Sequence, residues 1–116
     1  MDQQTLIDWL GHWPGVSHEV KWQDDLAFMV GGKMFALYCF QGKNRGQLSF
    51  KVEDGRLLEF TDRSHIIPAP YLARAHWISL LPGCTMDADE KQALIRRSYQ
   101  LVRAKLTKAA QRALGS

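Results

Sequence analysis

The sequence predicts a single α+β domain, in which antiparallel strands lie between a helix near the N-terminus and a long helix near the C-terminus. Apolar residues recur with a helical period at both ends of the chain, and short apolar runs separated by glycine turns fill the middle. With 116 residues, 46% of them hydrophobic and 23% charged, residues 1–116 are expected to form one domain with its own core.

The first element is predicted to be an amphipathic helix. Asp2 is a plausible N-cap, and Pro14-Gly15 is expected to end the helix. One face of a 3.6-residue period carries four apolar residues: Leu6, Trp9, Leu10 and Trp13.

The middle of the chain contains the strand candidates. Gly31-Gly32 separates two apolar runs as in a hairpin, and QGKNRG (41–46) forms the next turn. The runs at 26–30 and 33–40 are apolar on both faces, so we expect them to be central and covered by helices. EDGRLLEFTDRS (53–64) is predicted to contain a turn and a short helix. The strand candidates are SHEVKW (17–22), LAFMV (26–30), KMFALYCF (33–40), QLSFKV (47–52) and HWISLL (76–81).

The C-terminal segment is predicted to be one long helix. Residues 87–90, DADE, resemble a capping box in which Asp87 replaces the usual Ser or Thr. The apolar stripe expected on this helix is Ile95, Tyr99, Val102 and Leu106.

Charge is unevenly distributed along the chain. The net charge is only +3, but all seven charged residues after Glu90 are basic. This segregation is compatible with a basic face for a polyanion, but charge alone favours solvation of the C-terminal helix and complementation of its macrodipole. The acidic N-terminus and the lack of a long apolar run predict neither a secretory signal nor a membrane span. Together with two cysteines that lack CxxC spacing, Cys39 and Cys84, this predicts a cytoplasmic protein with reduced thiols.

No pattern of catalytic or metal-ligating residues is present. The four histidines are widely separated, and none is paired with a cysteine or carboxylate at ligand spacing. There is no nucleophile elbow, and Cys39 lies inside an apolar run where a thiol is usually unreactive. Asp24-Asp25 reads as a carboxylate pair or simply as a turn. We therefore expect a protein that is not an enzyme and has no cofactor.

Residues 41–46 place Lys43 and Arg45 at a hairpin tip. Basic hairpin tips contact nucleic-acid backbones because Lys and Arg neutralise phosphates and release counterions. A solvated turn that keeps the hairpin soluble explains the same residues.

The stretch PAPYLARAHWISL (68–80) is predicted to be a stiff loop that leads into a core strand. Trp77, with Ile78 and Leu80, is expected in the core. Tyr71, Arg74 and His76 are the members expected at an exposed rim.

Four segments of the chain resemble the MmcQ/YjbR family of small bacterial proteins. They are GGKMFAL (31–37), LSFKV (48–52), IIPAPYLARAHWISL (66–80) and SYQLV (98–102), in the family's order and spacing. The resemblance implies a curved antiparallel sheet packed against helices at both chain ends, similar to a double-wing DNA-binding module. The positions that match family motifs are Lys33, Lys51, Pro68, Pro70, Tyr71, His76, Trp77 and Tyr99.

The function that this resemblance implies is DNA binding. We expect a monomer, with no membrane partner, that grips the phosphate backbone with weak sequence preference. The expected DNA-binding residues are Lys33, Lys43, Arg45, Lys51, Arg63, Arg74, Tyr71 and His76. The alternative is a protein that binds or sequesters a drug-like small molecule in a pocket between sheet and helices, lined by some of Trp9, Trp13, Trp22 and Trp77.

Overall fold

The computed structural model describes residues 2–114 and confirms the α+β class. The helices are α1 (Gln3–Leu10), α2 (Leu57–Thr61), α3 (Ala88–Ala104) and α4 (Lys108–Ala113), with a 3₁₀ turn at Ala73–Ala75. The strands are β1 (Val16–Lys21), β2 (Asp25–Val30), β3 (Lys33–Cys39), β4 (Leu48–Lys51), β5 (Ile66–Pro68) and β6 (Trp77–Leu80). They form one antiparallel sheet in the order β1-β2-β3-β4-β6-β5.

Most predicted elements are confirmed, and several boundaries are corrected. The Asp2 carboxylate accepts from the Thr5 N–H at 2.8 Å, as expected of an N-cap, but α1 ends at Leu10, well before Pro14-Gly15. Asp87 likewise caps α3 by accepting from the Glu90 N–H at 2.8 Å. The short strand β5 was not predicted. It ends in Pro68, which tolerates an edge position because it has no N–H to donate.

The predicted long C-terminal helix is in fact two helices. Helix α3 ends at Ala104, and α4 begins after Thr107, whose hydroxyl accepts from the Ala110 N–H at 3.0 Å. Leu106 therefore lies in the connection and not on the α3 stripe, although it still packs against the core.

One face of the sheet packs against the helices and carries the main core. Residues of α1, α2 and α3 contribute to this cluster, and Leu106 and Leu114, which flank α4, pack against it. Phe35 is an extra residue of β3, because Phe28 pairs with Ala36 while Met29 pairs with Met34. The resulting bulge turns Phe35 toward the helices, where its ring lies 6.1 Å from Trp13 and 5.4 Å from Tyr99.

The hydroxyl of Tyr99 fixes the end of the N-terminal segment against α3. It donates to the Pro14 carbonyl oxygen at 2.7 Å while the ring remains in the aromatic cluster. Replacing Tyr99 by phenylalanine keeps the ring and removes only this hydrogen bond. We expect the free energy of unfolding to fall by about 1 kcal/mol in urea denaturation. A variant as stable as the parent would show that the hydrogen bond contributes nothing net.

The opposite face of the sheet is not covered by helices in residues 2–114, contrary to our expectation for the apolar central strands. Part of it is covered by the chain segment 69–76 instead. Ala69 and Leu72 of this segment pack with Leu37, Ala27 and the buried ring of Trp77. On the rest of this open face, residues of the central strands such as Cys39, Ser49 and Ser79 are themselves buried. None of the helices described is long and apolar enough to cross a membrane.

Candidate functional site

A cleft of about 640 Å³ lies on the open face of the sheet, where the β1–β2 and β3–β4 turns meet the segment 69–72. We call it the open-face cleft. Its lining residues are Trp22, Asp24, Asp25, Leu37, Cys39, Lys43, Asn44, Gln47, Ser49, Ala69, Pro70, Tyr71, Leu72 and Ser79.

The floor of the cleft consists of side chains at the centre of the sheet. Strand register places Leu37 beside Ser49, and Ser49 beside Ser79. The two serine hydroxyl oxygens lie 2.7 Å apart in a hydrogen bond, and both residues are buried. Because the serine side chains at these central positions are small, the cleft is deeper here than it would be above larger side chains. The floor is therefore largely apolar, with one polar pair at its centre.

The β1–β2 turn, residues 22–24, raises one edge of the cleft. Trp22 and Gln23 both have left-handed backbone, with φ of 53° and 69°, which costs a non-glycine residue about 1–2 kcal/mol. The Asp24 N–H donates to the Trp22 carbonyl at 2.8 Å. Gln23 is thus the centre of a three-residue turn with positive φ, a rare and strained form.

Contacts from the β3–β4 turn hold this strained turn in place. The Gln41 side-chain amide donates to the Gln23 carbonyl at 2.9 Å and to Asp24 Oδ1 at 3.2 Å. Gly42 allows the close approach, because a Cβ atom there would lie 2.8 Å from Asp24 Oδ2. The β1–β2 and β3–β4 turns therefore support each other and together form one side of the cleft.

Exposed aromatic rings are concentrated at this site. The large hydrophobic side chains exposed in residues 2–114 are Val20, Trp22, Leu58 and Tyr71, of which Trp22 and Tyr71 line the cleft. Trp22 is 65% exposed and Tyr71 is fully exposed, also with left-handed backbone at φ 66°. These two rings contribute little to the core, because they face solvent. Strained backbone that holds an exposed apolar ring is typical of functional sites.

The charged residues that line the cleft are Asp24, Asp25 and Lys43. Burial, and next the neighbouring Asp24 charge, raise the pKa of the Asp25 carboxyl, although Cys39 opposes this. Burial also raises the pKa of the Cys39 thiol, whose Sγ donates to the Gln41 carbonyl at 3.1 Å. A thiol with a raised pKa is a poor nucleophile at neutral pH.

The structure brings two of the residues predicted to bind DNA, Lys43 and Tyr71, into the cleft. Arg45 is exposed on the same turn as Lys43. Lys33 lies at the opposite end of β3 from the cleft residue Cys39. At about 3.3 Å per residue, the two are about 20 Å apart. Arg74 is exposed on the 3₁₀ turn.

The remaining predicted DNA-binding residues have partners within the chain. Lys51 Nζ donates to the Ala75 carbonyl at 2.5 Å, and burial lowers the pKa of Lys51. Arg63 forms a two-pronged ion pair with Glu90, at 2.7 and 2.9 Å. This pair raises the pKa of Arg63 and lowers that of Glu90.

His76 also has a partner, because its Nδ1 lies against the Asp54 carboxylate. Its backbone is left-handed, with φ of 67°.

The tryptophans expected to line a pocket between sheet and helices lie on different sides of the sheet. Trp13 is buried against the helices and contacts Trp9 edge to face at 5.1 Å. Trp77 is buried on the open face, as predicted for a core residue. Trp22 is the tryptophan that lines the open-face cleft. The aromatic cluster around Trp13 occupies much of the helical side, and an open cleft is instead lined by Trp22.

No group of three or more metal-ligating side chains occurs among residues 2–114. Cys39 and Cys84 are both free thiols.

Residues 12–101 match the family model described as YjbR. The chain belongs to the YjbR family. This confirms the resemblance seen in the four sequence segments. Comparison with curated proteins gives no match.

Solved structures share the fold of this YjbR-family chain. The crystal structure of the Deinococcus radiodurans protein DR2400, with a DUF419 domain, has a TM-score of 0.83 and 30% identity, covering 97% of this chain and 86% of that one. A crystal structure of a Pseudomonas syringae protein has a TM-score of 0.68 and 24% identity, covering 88% of this chain and 99% of that one. A solution NMR structure of a Pseudomonas syringae protein has a TM-score of 0.65 and 24% identity, covering 88% of this chain and 93% of that one. At 24% identity the likeness concerns the fold alone.

Sequence reasoning missed most of the polar cleft residues. Asp24 and Asp25 were noticed but read equally well as a turn, while Ser49 and Ser79 were counted as parts of ordinary strands. A signal was available in those serines, since each is a small polar residue between large apolar ones, Leu48 and Phe50 in β4 and Ile78 and Leu80 in β6.

Proposed function

We propose that this YjbR-family domain binds a small molecule in the open-face cleft without catalysing a reaction on it. The observation that carries the proposal is the placement of Trp22 and Tyr71, two exposed rings with strained backbone, on one cleft. Small-molecule sites are concave and mostly apolar, with a few polar groups that orient the ligand, and range over about 300–1,000 Å³. The open-face cleft fits this description in size and lining.

The absence of catalysis is part of the proposal and is supported by the chemistry of the lining. The Cys39 thiol has a raised pKa, and the two serine hydroxyls bond to each other. A serine becomes a nucleophile only beside a general base, and no histidine lines the cleft as described. These groups suit the recognition of a ligand.

A thermal-shift screen of the purified domain against a fragment library tests this function. A ligand at ten times its dissociation constant stabilises the folded state by about 1.4 kcal/mol. For a domain of this size we expect the midpoint of unfolding to rise by about 4–6 °C. Fragments that bind should do so with saturation, and their binding should depend on Trp22. If no fragment in a diverse library raises the midpoint, the proposed function is wrong.

DNA binding is the second candidate, and the exposed β3–β4 turn favours it. Lys43 and Arg45 are exposed there, and neither takes part in an ion pair within residues 2–114. A turn of this kind suits a phosphate backbone and provides little to read bases, so sequence preference would be weak.

Anisotropy of a labelled random duplex, titrated at about 50 and 200 mM salt, tests this candidate. If the turn grips phosphates, replacing both Lys43 and Arg45 by alanine should flatten the dependence of log affinity on log salt by about one to two units. Lys108→Ala, which removes an exposed lysine at the start of α4, is the matched control and should leave the slope unchanged. No binding at the lower salt would exclude DNA, and an unchanged slope in the double variant would exclude this turn.

A further inference from the structure

Negative charge dominates the lining of the open-face cleft. Asp24 and Asp25 are consecutive and both line it, whereas Lys43 supplies the positive charge of the lining. Lys21, the cross-strand partner of Asp25, is paired with Glu19 at 3.1 Å, so part of its charge is already offset. The site therefore favours a ligand that brings positive charge.

The carboxylate pair is held in a costly arrangement. Gln41 fixes the Asp24 side chain, and Asp25 follows it at the first position of β2, half-buried. The raised pKa of the Asp25 carboxyl has burial as its main cause and the Asp24 charge as its second. A ligand cation beside the pair would offset both, because an opposite charge favours the ionised carboxylate.

The exposed rings of Trp22 and Tyr71 indicate a second chemical feature of the ligand, a planar ring. An exposed indole and an exposed phenol offer flat faces on which a planar ring can stack, or over which a cation can lie. Lys21 Nζ already lies 6.0 Å from the centre of the Trp22 ring, at the outer range of a cation–π contact. The surroundings of this ring thus accommodate positive charge.

We infer that the ligand of the open-face cleft is a planar aromatic compound carrying a positively charged amine, an inference that rests on the proposed small-molecule function. The ring packs against Trp22 and Tyr71, and the ammonium group lies beside the carboxylates of Asp24 and Asp25. The apolar floor around Leu37 receives the part of the ring system that enters the cleft.

Calorimetric titration of four probes of similar size tests this inference. Three share a naphthalene ring and differ in charge: 1-naphthylmethylammonium, 1-naphthalenemethanol and 1-naphthaleneacetate. Decahydro-1-naphthylmethylammonium keeps the charge and the size and lacks the aromatic ring. We expect the aromatic ammonium to bind at least about tenfold more tightly than the alcohol, since one near charge pair in a partly screened site is worth that much. The carboxylate and the aliphatic ammonium should bind more weakly still.

Variants separate charge recognition from folding. In Asp24→Asn/Asp25→Asn the preference for the ammonium over the alcohol should disappear, while affinity for the alcohol persists. Asp25→Asn alone, which keeps the Asp24–Gln41 contact, should lose part of the preference and guards against misfolding of the double variant. Asp89→Asn, an exposed carboxylate on α3, is the control and should retain the full preference.

The results also separate this inference from the function on which it rests. If the alcohol or the carboxylate binds as tightly as the aromatic ammonium, the inferred ligand class is wrong while the cleft remains a binding site. Failure of all four probes, with hits among other library fragments that depend on Trp22, likewise overturns the ligand class alone. Failure of the probes and of the whole library overturns both.

Discussion

Replacing Ser98 by alanine is expected to lower the free energy of unfolding by about 3 kcal/mol, one of the largest effects available to a single polar side chain in this domain. Ser98 lies on α3, is fully buried, and joins the helix to the sheet. Its hydroxyl donates to the Phe35 carbonyl at 2.6 Å and accepts from the Lys51 N–H at 2.9 Å.

The expected size of this effect follows from the β3 bulge. The β3–β4 pairing reaches Ala36 and Phe50, and beyond it the Phe35 carbonyl and the Lys51 N–H are bridged by the serine. Alanine would leave both backbone groups unpaired in a part-buried region, at about 1–3 kcal/mol for each. Urea denaturation measures the loss, and Ser17→Ala on the exposed edge strand β1 is the control, with an expected change within about 0.5 kcal/mol. A loss below about 1 kcal/mol for Ser98→Ala would show that the two strands pair directly instead.

Replacing Trp22 and Tyr71 by glycine is expected to weaken ligand binding by at least about 20-fold without destabilising the fold. Both residues have positive φ, which glycine adopts without steric cost. Relief of about 1–2 kcal/mol of strain at each position is partly offset by the larger entropy that glycine has in the unfolded chain. We expect the double variant to be as stable as the parent or up to about 1 kcal/mol more stable, whereas fragment binding loses the two stacking surfaces.

The control for the double variant is Leu58→Ala. Leu58 is another exposed large hydrophobic side chain, 76% accessible, but it lies on α2, outside the cleft lining. It should leave fragment binding unchanged. Two results would count against the assigned role of the rings: retention of binding in the glycine double variant, or a loss of stability of several kcal/mol that makes Trp22 and Tyr71 structural residues.

The elements that could be predicted from the sequence are those with a strong local signal. Three such elements appear in the structure: the α1 face of Leu6, Trp9 and Leu10, the Gly31-Gly32 hairpin, and the Asp87 cap. Trp13, predicted on the same face, lies beyond the end of α1. The end of α3 had a local signal as well, because Thr107 is a typical N-cap, but the helical period of the apolar stripe outweighed it.

The cleft could not be predicted because it depends on long-range register. Ser49 and Ser79 are 30 positions apart and become neighbours only through the pairing of β4 with β6. The side of the sheet that the helices would cover was equally undetermined, since the central strands are apolar on both faces. The left-handed turn at Trp22 depends on Gln41, which reaches it from the next hairpin.

The central claim, that the open-face cleft is the binding site, is tested most directly by two-dimensional ¹H–¹⁵N NMR of the tryptophan indole N–H groups during titration with stabilising fragments. The chain has four tryptophans, and their positions in the fold make each an independent reporter. We predict that the Trp22 indole resonance shifts with saturation while those of Trp9 and Trp13, on the helical face, stay in place. Shifts of Trp9 and Trp13 with an unmoved Trp22 would place the ligand on the helical side and contradict the account.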